Sequence, residues 1–372
     1  MAVDPFLYSA LSRLGSVSTS ALSALLDRKD LLARLRGGQR PDGLPPSLSK
    51  ALAKLDWTTA EKEDRAAQKA GVVILCWEDP RYPTRLKEIP DPPPALFLKG
   101  DPAALEIPAL GIVGSRLCTV YGLNVARTLA SDLAQAGFAV ASGLARGIDT
   151  AAHEGSLSAP GHGIAVLGTG VDVIYPRENG ALARKLLDAG GAVLSEFPPG
   201  TPPLPRNFPI RNRVISGLSL GILVVEATER SGSLITARFA LETGREVFAV
   251  PHNITSRTGI GPNTLIQKGA KLVQRVQDVL EELPPEICCN LKPFSPGGDS
   301  SSPSPSGGTS HAARLLAALR PDEGAGIDAL CGLSGLTAAQ VMAALLELQM
   351  ADRCVELPGM RYALKAAPKE SL

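Results

Sequence analysis

The side chains best suited to binding a ligand lie in a Pro-rich segment near the middle of the chain. Residues 197–225 contain no acidic side chain, and the first part of this segment carries one aromatic residue and several arginines. Guanidinium groups make charge-assisted hydrogen bonds to phosphate oxygens, and an aromatic ring offers a base a stacking surface worth ~1–3 kcal/mol. The residues concerned are Arg206, Phe208, Arg211 and Arg213. They predict a ligand that is both phosphorylated and flat. In the alternative interpretation, Phe208 fills the core and one arginine pairs with Glu226 or Glu229.

Glycine-rich polar turns form a second group of candidate anion sites. The apolar run 221–226 predicts a strand buried on both faces, and Ser231-Gly232-Ser233 begins the helix that follows. The free N–H groups and the dipole of a helix start favour an anion. Three more such turns, at 111–116, 142–149 and 168–172, follow other predicted strands. Glycine lets backbone N–H groups approach a phosphate closely. The side chains that could assist them are Ser115, Arg116 and Arg146.

The elements that must position these turns alternate regularly between strand and helix. From residue 109 to residue 250 apolar β-branched runs alternate with helical segments, several of which are followed by glycine. This pattern predicts an extended Rossmann-like, doubly wound and mostly parallel α/β sheet. Ligands of such sheets bind at the carboxyl ends of the strands, at the topological switch point. We therefore expect the polar turns to meet at one edge of the sheet.

Composition shifts divide the chain into four parts. Residues 1–70 predict a small helical domain, similar to a sterile-alpha-motif or helix-hairpin-helix unit, which is either a packing cap or a DNA-touching or dimer-forming accessory. Residues 71–284 form the Rossmann-like domain, and 285–310 a flexible linker, since residues 293–310 hold seven Ser, four Gly and four Pro. Residues 311–372 predict a winged helix, that is, three helices followed by a two-stranded wing.

The predicted winged helix lacks the charge of an ordinary duplex reader. Its third helix, residues 337–350, contains no Lys or Arg, and the segment from His311 onward has six basic and seven acidic residues. Duplex readers are basic on the recognition face. We expect a protein-contact module, or at most a weak DNA contact through the wing.

Several functional classes lack their sequence signals. The 372 residues carry a net charge of +1, so a nucleic-acid role must come from local clustering of charge. There is no P-loop, complete GxGxxG, GxSxG or metal-spaced histidine motif, and the six cysteines show no CxxC spacing. Asp149 and His153 share a helix face, which favours an acid at a helix start with a surface histidine over catalysis. No apolar run reaches the ~20 residues needed to span a bilayer, and no signal peptide opens the chain. We expect a cytoplasmic protein without cofactor, metal or catalytic residues.

Six blocks in order along residues 70–283 resemble one family. The blocks are GIVGSR, SGLARGID, GTGVDVIYPREN, FPIRNRVISGLS, SGSLITARFALETGREVFAVP and GPNTLIQKGA, and together they resemble the DNA processing protein A (DprA, also called Smf) family. The resemblance implies a homodimer on an extended Rossmann fold that binds single-stranded DNA without sequence preference. It also implies protection of incoming DNA during natural transformation (competence) and homologous recombination, loading of the recombinase RecA, and neither cofactor nor catalysis.

The resemblance places the DNA path on matching positions. The turn Gly114-Ser115-Arg116 would grip a phosphate, the block from Phe208 to Arg213 would line the strand, and Lys268 would lie on the same face. Joined to the turns described above, the predicted DNA-binding set is Gly114, Ser115, Arg116, Arg146, Arg206, Phe208, Arg211, Asn212, Arg213, Ser231, Gly232, Ser233 and Lys268.

A nucleotide-processing enzyme on the same fold is the competing prediction. Phosphoribohydrolases of the LOG type also place a Gly/Ser-rich turn with nearby acidic and basic residues at this strand end, and Glu226, Glu229 and Arg230 could be interpreted in that way. The sequence contains no PGGxGT-type block, however, and the Arg/Phe segment has no role on a mononucleotide.

Overall fold

A computed structural model shows how these segments fold. It describes residues 5–14, 34, 39, 49–50, 52–289, 311–320, 324–351, 353–357 and 360–365. Much of the predicted N-terminal helical domain and residues 290–310 of the predicted linker lie outside the described residues. The chain divides into a larger compact unit that contains the main sheet and a smaller one made mostly of residues from 293 onward.

The main sheet has nine strands. They are β1 Val73–Cys76, β2 Ala95–Gly100, β3 Ala109–Val113, β4 Ala139–Ser142, β5 Gly163–Leu167, β6 Ala192–Ser195, β7 Ser219–Val224, β8 Glu246–Ala249 and β9 Lys271–Leu272. Among the described residues up to 289, the α-helices are α1 Pro5–Leu11, α2 Trp57–Lys69, α3 Thr84–Lys87, α4 Val120–Gln135, α5 Ile148–Ser156, α6 Gly180–Asp188, α7 Asn207–Leu218, α8 Gly232–Glu242, α9 Ile260–Gln267, α10 Val276–Leu280 and α11 Pro285–Cys289. The same residues include short 3₁₀ helices at Pro102–Leu105 and Arg177–Asn179. Since α11 is helical, the first residues of the predicted linker are not an irregular tether.

The strand order of the sheet identifies its switch point. The order is β1-β2-β6-β5-β4-β3-β7-β8-β9, in which β1 and β2 pair antiparallel, β2 and β6 pair antiparallel, and the remaining neighbours are parallel. From β3 the chain builds outward through β4, β5 and β6, then returns to place β7 on the other side of β3. The order therefore reverses between β3 and β7. The predicted Rossmann-like, doubly wound sheet is confirmed.

The core covers both faces of the sheet. Ile74 and Phe97 belong to one apolar cluster, whereas Leu75 and Leu96, their neighbours along the same strands, belong to another. Successive side chains of a strand point to opposite faces, so the two clusters lie on opposite sides. Every residue of β7 is buried, which explains why its sequence after Ser219 is apolar and does not alternate with polar residues.

The described part of the N-terminal region packs against this sheet. Tyr8 and Leu11 of α1 lie in the same cluster as Ile74 of β1. Arg13 Nη2 lies 2.7 Å from Oδ1 of the buried Asp64, and this pair joins the segment after α1 to α2. Helix α1 is therefore held both by apolar packing and by an ion pair.

The described residues from His311 onward form three helices and a three-stranded sheet. The helices are α12 His311–Ala318, α13 Ile327–Ser334 and α14 Ala338–Met350, and the strands are β10 Ala325–Gly326, β11 Cys354–Leu357 and β12 Arg361–Leu364. Thr337 caps α14 and forms a capping box with Gln340. Leu315, Leu330 and Leu345 form the centre of the core. The predicted helices and wing are present, and β10 was missed because two residues give no periodic signal.

The length and apolar character of a helix decide whether it can cross a bilayer. Among the described residues, no single helix has the length and apolar character needed to cross a bilayer; α13 and α14 would satisfy both only as a pair, with a 100° bend between them.

Candidate functional site

A cleft of about 630 Å³ opens at the switch point of the sheet. Val113, the last residue of β3, lines it, as does Thr228, which lies shortly after the end of β7. This is the position at which doubly wound sheets bind ligands. Most of the predicted site meets here, namely Gly114, Ser115, Arg116, Phe208, Arg211, Asn212, Ser231, Gly232 and Ser233.

The turn after β3 is locked against the turn after β4. A Cβ atom on Gly114 would lie 2.5 Å from Ile148 Cγ1, and one on Gly147 would collide with the carbonyl oxygen of Ser115. Gly147 also has a φ of 77°, which other residues rarely adopt. The Ser115 hydroxyl donates to the carbonyl of Leu117 at 2.8 Å and accepts from its N–H at 3.2 Å. These constraints fix the backbone while leaving the Arg116 side chain exposed.

Arg116 and two aromatic rings form a row along the cleft. The Arg116 guanidinium carbon lies 5.5 Å from the centre of the Phe208 ring, a distance that allows a cation–π interaction. The Phe208 and Tyr175 ring centres are 5.6 Å apart, with planes inclined by 47°. Phe208 is half-buried over Gly168, where a Cβ would approach the ring to 2.8 Å. It therefore neither fills the core nor extends from a loop, because it lies in the first turn of α7.

Arg211 holds the ends of two strands, β4 and β5, together from inside the protein. Its side chain is buried, and Nη1 donates to the carbonyl oxygens of Gly143, at 2.7 Å, and of Val166. A side chain at Gly143 would overlap the guanidinium. Burial lowers the pKa of Arg211 to about 10, so the group stays cationic at neutral pH. Although Arg211 reaches the cleft wall, its hydrogen bonds serve the fold.

The charge of the buried Asp149 opposes the lowering of the Arg211 pKa. Its carboxylate accepts hydrogen bonds from the N–H groups of Gly143 at 3.1 Å and Ala145 at 3.4 Å. Burial raises the pKa of Asp149, and the positive charge of Arg211 together with these N–H groups opposes the rise. The acid thus balances the buried guanidinium.

The start of α8 forms the opposite wall of the cleft. Ser231 is the N-cap, and its Oγ accepts from the N–H of Ser233 at 3.4 Å and lies 2.7 Å from the Ser233 hydroxyl. Asn212 Nδ2 donates to the carbonyl of Gly232 at 3.2 Å, which ties α7 to α8. Nothing lies within 4 Å of a Cβ placed on Gly232. The helix start therefore faces open space, as an anion site requires.

Four predicted residues do not line the cleft. Arg206 is exposed at the residue before α7, and Lys268 is exposed at the end of α9. Arg146 makes a two-point pair with Glu178, with Nη2 2.8 Å from Oε2. The Arg213 side chain points to Glu196 and not into the cleft.

Arg213 is engaged in an ion pair within the fold. Its Nη2 pairs with Oε2 of Glu196, and its Nε lies 3.6 Å from Oδ2 of Asp91. Burial raises the pKa of Glu196, which the Arg213 charge opposes. Successive helical residues are ~100° apart, so Arg213 points roughly 160° away from Arg211 around α7. The alternative interpretation of the sequence expected one arginine to pair with Glu226 or Glu229. The structure shows such an ion pair for Arg213, but its partner is Glu196.

The expected surface position of His153 is wrong. His153 is fully buried beneath the cleft turn, and burial lowers its pKa to about 3. The residue is therefore neutral at physiological pH. Polar residues are usually exposed, and the sequence carries no signal for this exception.

The sequence prediction missed several residues of the cleft, Tyr175 and Leu117 among them. These two expose 42% and 89% of their surfaces. Tyr175 lies within the GTGVDVIYPREN block. Its position as an aromatic residue shortly after a glycine turn was the sequence signal that could have placed it in the cleft. In the described part of the chain, no group of three or more His, Cys, Asp or Glu side chains is placed to hold a metal ion.

Comparison with known proteins identifies the family. Residues 73–284 match the family model for DNA recombination-mediator protein A, and residues 299–360 match that for the DprA winged helix domain. The chain belongs to the DNA recombination-mediator protein A family. The predicted DprA/Smf resemblance and the C-terminal winged helix are thereby confirmed.

Relatives of this DprA family member cover most of its length. Protein Smf of Escherichia coli is 43% identical over 304 residues, which are 79% of this chain and 80% of that protein. The DNA processing protein DprA of Bacillus subtilis is 45% identical over 62% of this chain and 77% of its own length.

Two solved DprA structures also match the fold. DprA of Streptococcus pneumoniae superposes with a TM-score of 0.64 at 37% identity, over 76% of this chain and 99% of that one. DprA of Helicobacter pylori, whose structure gave insights into a unique single-stranded DNA binding mode, matches with a TM-score of 0.51 at 30% identity, over 56% of this chain and 94% of that one.

Proposed function

We propose that this protein binds single-stranded DNA along the switch-point cleft. The observation that carries the proposal is the row formed by Arg116, Phe208 and Tyr175 beside the open start of α8. Cations and N–H groups suit phosphates, and half-exposed rings suit unpaired bases, so the cleft combines the two features that single-strand binders share. The single-stranded DNA binding mode described for the H. pylori relative supports the same assignment.

In this proposal, different residues of the cleft bind different parts of the DNA strand. Arg116, which makes no ion pair with another described residue, takes one phosphate. The N–H of Gly232 takes another at the start of α8, where the helix dipole favours an anion. Phe208 supports a base. Arg211 and Asp149 keep the strand ends in register and do not contact the DNA backbone directly.

Two substitutions separate the electrostatic from the stacking contribution. Arg116→Ala removes one phosphate contact, so we expect weaker oligo-dT binding and a salt slope that falls by about 0.7. Phe208→Ala removes a ring and should weaken binding by ~1–3 kcal/mol without changing the slope. Fluorescence anisotropy at several salt concentrations measures both quantities.

Arg238→Ala is the matched control for these variants. Arg238 lies on α8, is exposed, pairs with Glu242 and does not line the cleft. It should bind single strands like the parent protein. If Arg116→Ala and Phe208→Ala also bind like the parent, the proposed site is wrong.

The cellular role follows from the family. We propose that the protein acts in the cytoplasm as a homodimer, protects incoming single strands during natural transformation and recombination, and loads RecA onto them. A shorter lag before RecA-dependent ATP hydrolysis on single-stranded DNA would support RecA loading, and an unchanged lag would count against it. Sedimentation of the purified chain tests the dimer.

We further propose that the protein works without catalysis or a cofactor. Glu226, Glu229 and Arg230, on which the phosphoribohydrolase alternative depends, do not line the cleft in the part of the chain that the structure describes. Asp149, which does line it, is occupied by two backbone N–H groups. Release of free base from nucleoside monophosphates would overturn this proposal.

A further inference from the structure

Tyr175 lies in the cleft at a place that suggests a role of its own. It belongs to the loop between β5 and the 3₁₀ helix Arg177–Asn179, and 42% of its surface is exposed. Its ring is 5.6 Å from that of Phe208, centre to centre, and the two planes are inclined by 47°. A ring exposed beside a second ring and a guanidinium group forms a surface on which an unpaired base can stack.

Phe208 has less free surface than Tyr175. Gly168 lies directly below the Phe208 ring, so close that a Cβ there would come within 2.8 Å. The guanidinium of Arg116 lies over the same ring at 5.5 Å. Because these two neighbours and Tyr175 surround Phe208, it acts partly as a support. The more open ring in the cleft is that of Tyr175.

The row offers two neighbouring stacking surfaces beside one cation. The Arg116 guanidinium carbon lies 5.5 Å from the centre of the Phe208 ring, and the Phe208 and Tyr175 ring centres are 5.6 Å apart. The order along the cleft is therefore Arg116, Phe208, Tyr175. Such an order matches two consecutive nucleotides, with a base on each ring and a phosphate toward Arg116.

We propose that Tyr175 is a specificity-determining residue that stacks the base next to the one on Phe208. The inference deepens the proposed function and rests on it. Because the rings are inclined by 47°, two neighbouring bases can follow them only if the strand bends and the bases unstack. A single strand does so readily, whereas a duplex holds its bases parallel and paired. Tyr175 therefore contributes to the preference for single over double strands.

The test compares three substitutions in the full-length chain. Tyr175→Phe keeps the ring, Tyr175→Leu keeps apolar bulk without a ring, and Tyr175→Ala removes both. Anisotropy with labelled oligo-dT and with a duplex of equal length measures affinity at two salt concentrations. We expect the Phe variant to bind like the parent. The Leu and Ala variants should lose about 5- to 150-fold in single-strand affinity, with an unchanged salt slope and little change on duplex.

A DNA-side substitution locates the contact. One abasic site is moved along the oligonucleotide, position by position. At one position it should weaken binding to the parent protein but not to Tyr175→Ala, because the abasic site and the substitution remove the same base–ring stack. Thermal melting checks that each variant is folded, and the exposure of Tyr175 predicts little change.

The outcomes separate this inference from the proposed function. If the parent protein does not bind oligo-dT, the proposed function fails and the inference with it. If the parent binds and Tyr175→Ala binds equally well, only the inference is overturned. A loss in Tyr175→Phe as large as that in Tyr175→Ala would also overturn it, because the ring would then not be the group that acts.

Discussion

Replacing Arg211 with alanine distinguishes a structural from a DNA-contacting arginine. The side chain is buried, donates to the carbonyls of Gly143 and Val166, and balances the charge of Asp149. Removing one member of a buried charge pair costs ~3–5 kcal/mol, because the other charge stays buried without compensation. In a domain of about 200 residues this lowers the melting temperature by roughly 6–20 °C.

The pH dependence of this loss has a definite sign. Burial already raises the pKa of Asp149 in the folded state, and loss of the Arg211 charge raises it further. A raised folded pKa adds stability at low pH, and this stability is lost as pH rises through the folded value. The difference in stability between parent and Arg211→Ala should therefore be larger at pH 8 than at pH 5. Asp149→Asn introduced into Arg211→Ala should restore part of the stability.

Thermal or urea unfolding followed by circular dichroism measures these effects. Arg238→Ala is again the control, since an exposed i,i+4 pair contributes only ~0.3–0.5 kcal/mol. If Arg211→Ala melts like the parent but loses single-strand affinity, Arg211 is a phosphate contact and the structural interpretation is refuted.

Three further predictions follow from the burial, charge and open space of individual residues. Because burial lowers the folded pKa of His153 to about 3 from an ordinary 6.5, its stabilising effect is lost as pH falls below about 6.5. The difference in free energy of unfolding between the parent and His153→Leu, measured in urea, should therefore shrink by roughly 2 kcal/mol between pH 8 and pH 5. An equal loss of stability at low pH in both proteins would contradict this prediction. Gly232→Glu adds a carboxylate to open space in the cleft, so single-strand affinity should drop at least ten-fold with an unchanged melting temperature; unchanged affinity would exclude an anion at the α8 start. A fragment of residues 1–284 should keep its gel-shift affinity for single strands within ten-fold, because α14 carries no Lys or Arg, and a greater loss would show that the winged helix is a major DNA contact.

The central sheet was predictable because its signals are local. Apolar runs long enough for a buried strand recur between helical segments, and Gly137, Gly190 and Gly244 follow helices at positive φ. Glycine is the residue for which this conformation costs least. The location of the cleft then followed from the rule for doubly wound sheets.

The individual roles of the arginines were not predictable. The prolines before Asn207 concealed the first turn of α7, and Arg211 and Arg213 were both predicted to line one ligand site. In the helix they point in nearly opposite directions, one toward Gly143 and one toward Glu196. Both partners directly follow other strands, β4 and β6, and contacts of this range leave no mark in local sequence spacing. The burial of His153 and the row formed with Tyr175 depend on the same long-range packing.

Fluorescence anisotropy with single- and double-stranded oligonucleotides of equal length, at two salt concentrations, tests the central claim most directly. A cleft that combines Arg116 with the rings of Phe208 and Tyr175 should bind the single strand more tightly than the duplex, and both affinities should fall as salt rises. Equal affinity for both DNAs, or no binding to the single strand at low salt, would contradict the assignment of this cleft to single-stranded DNA.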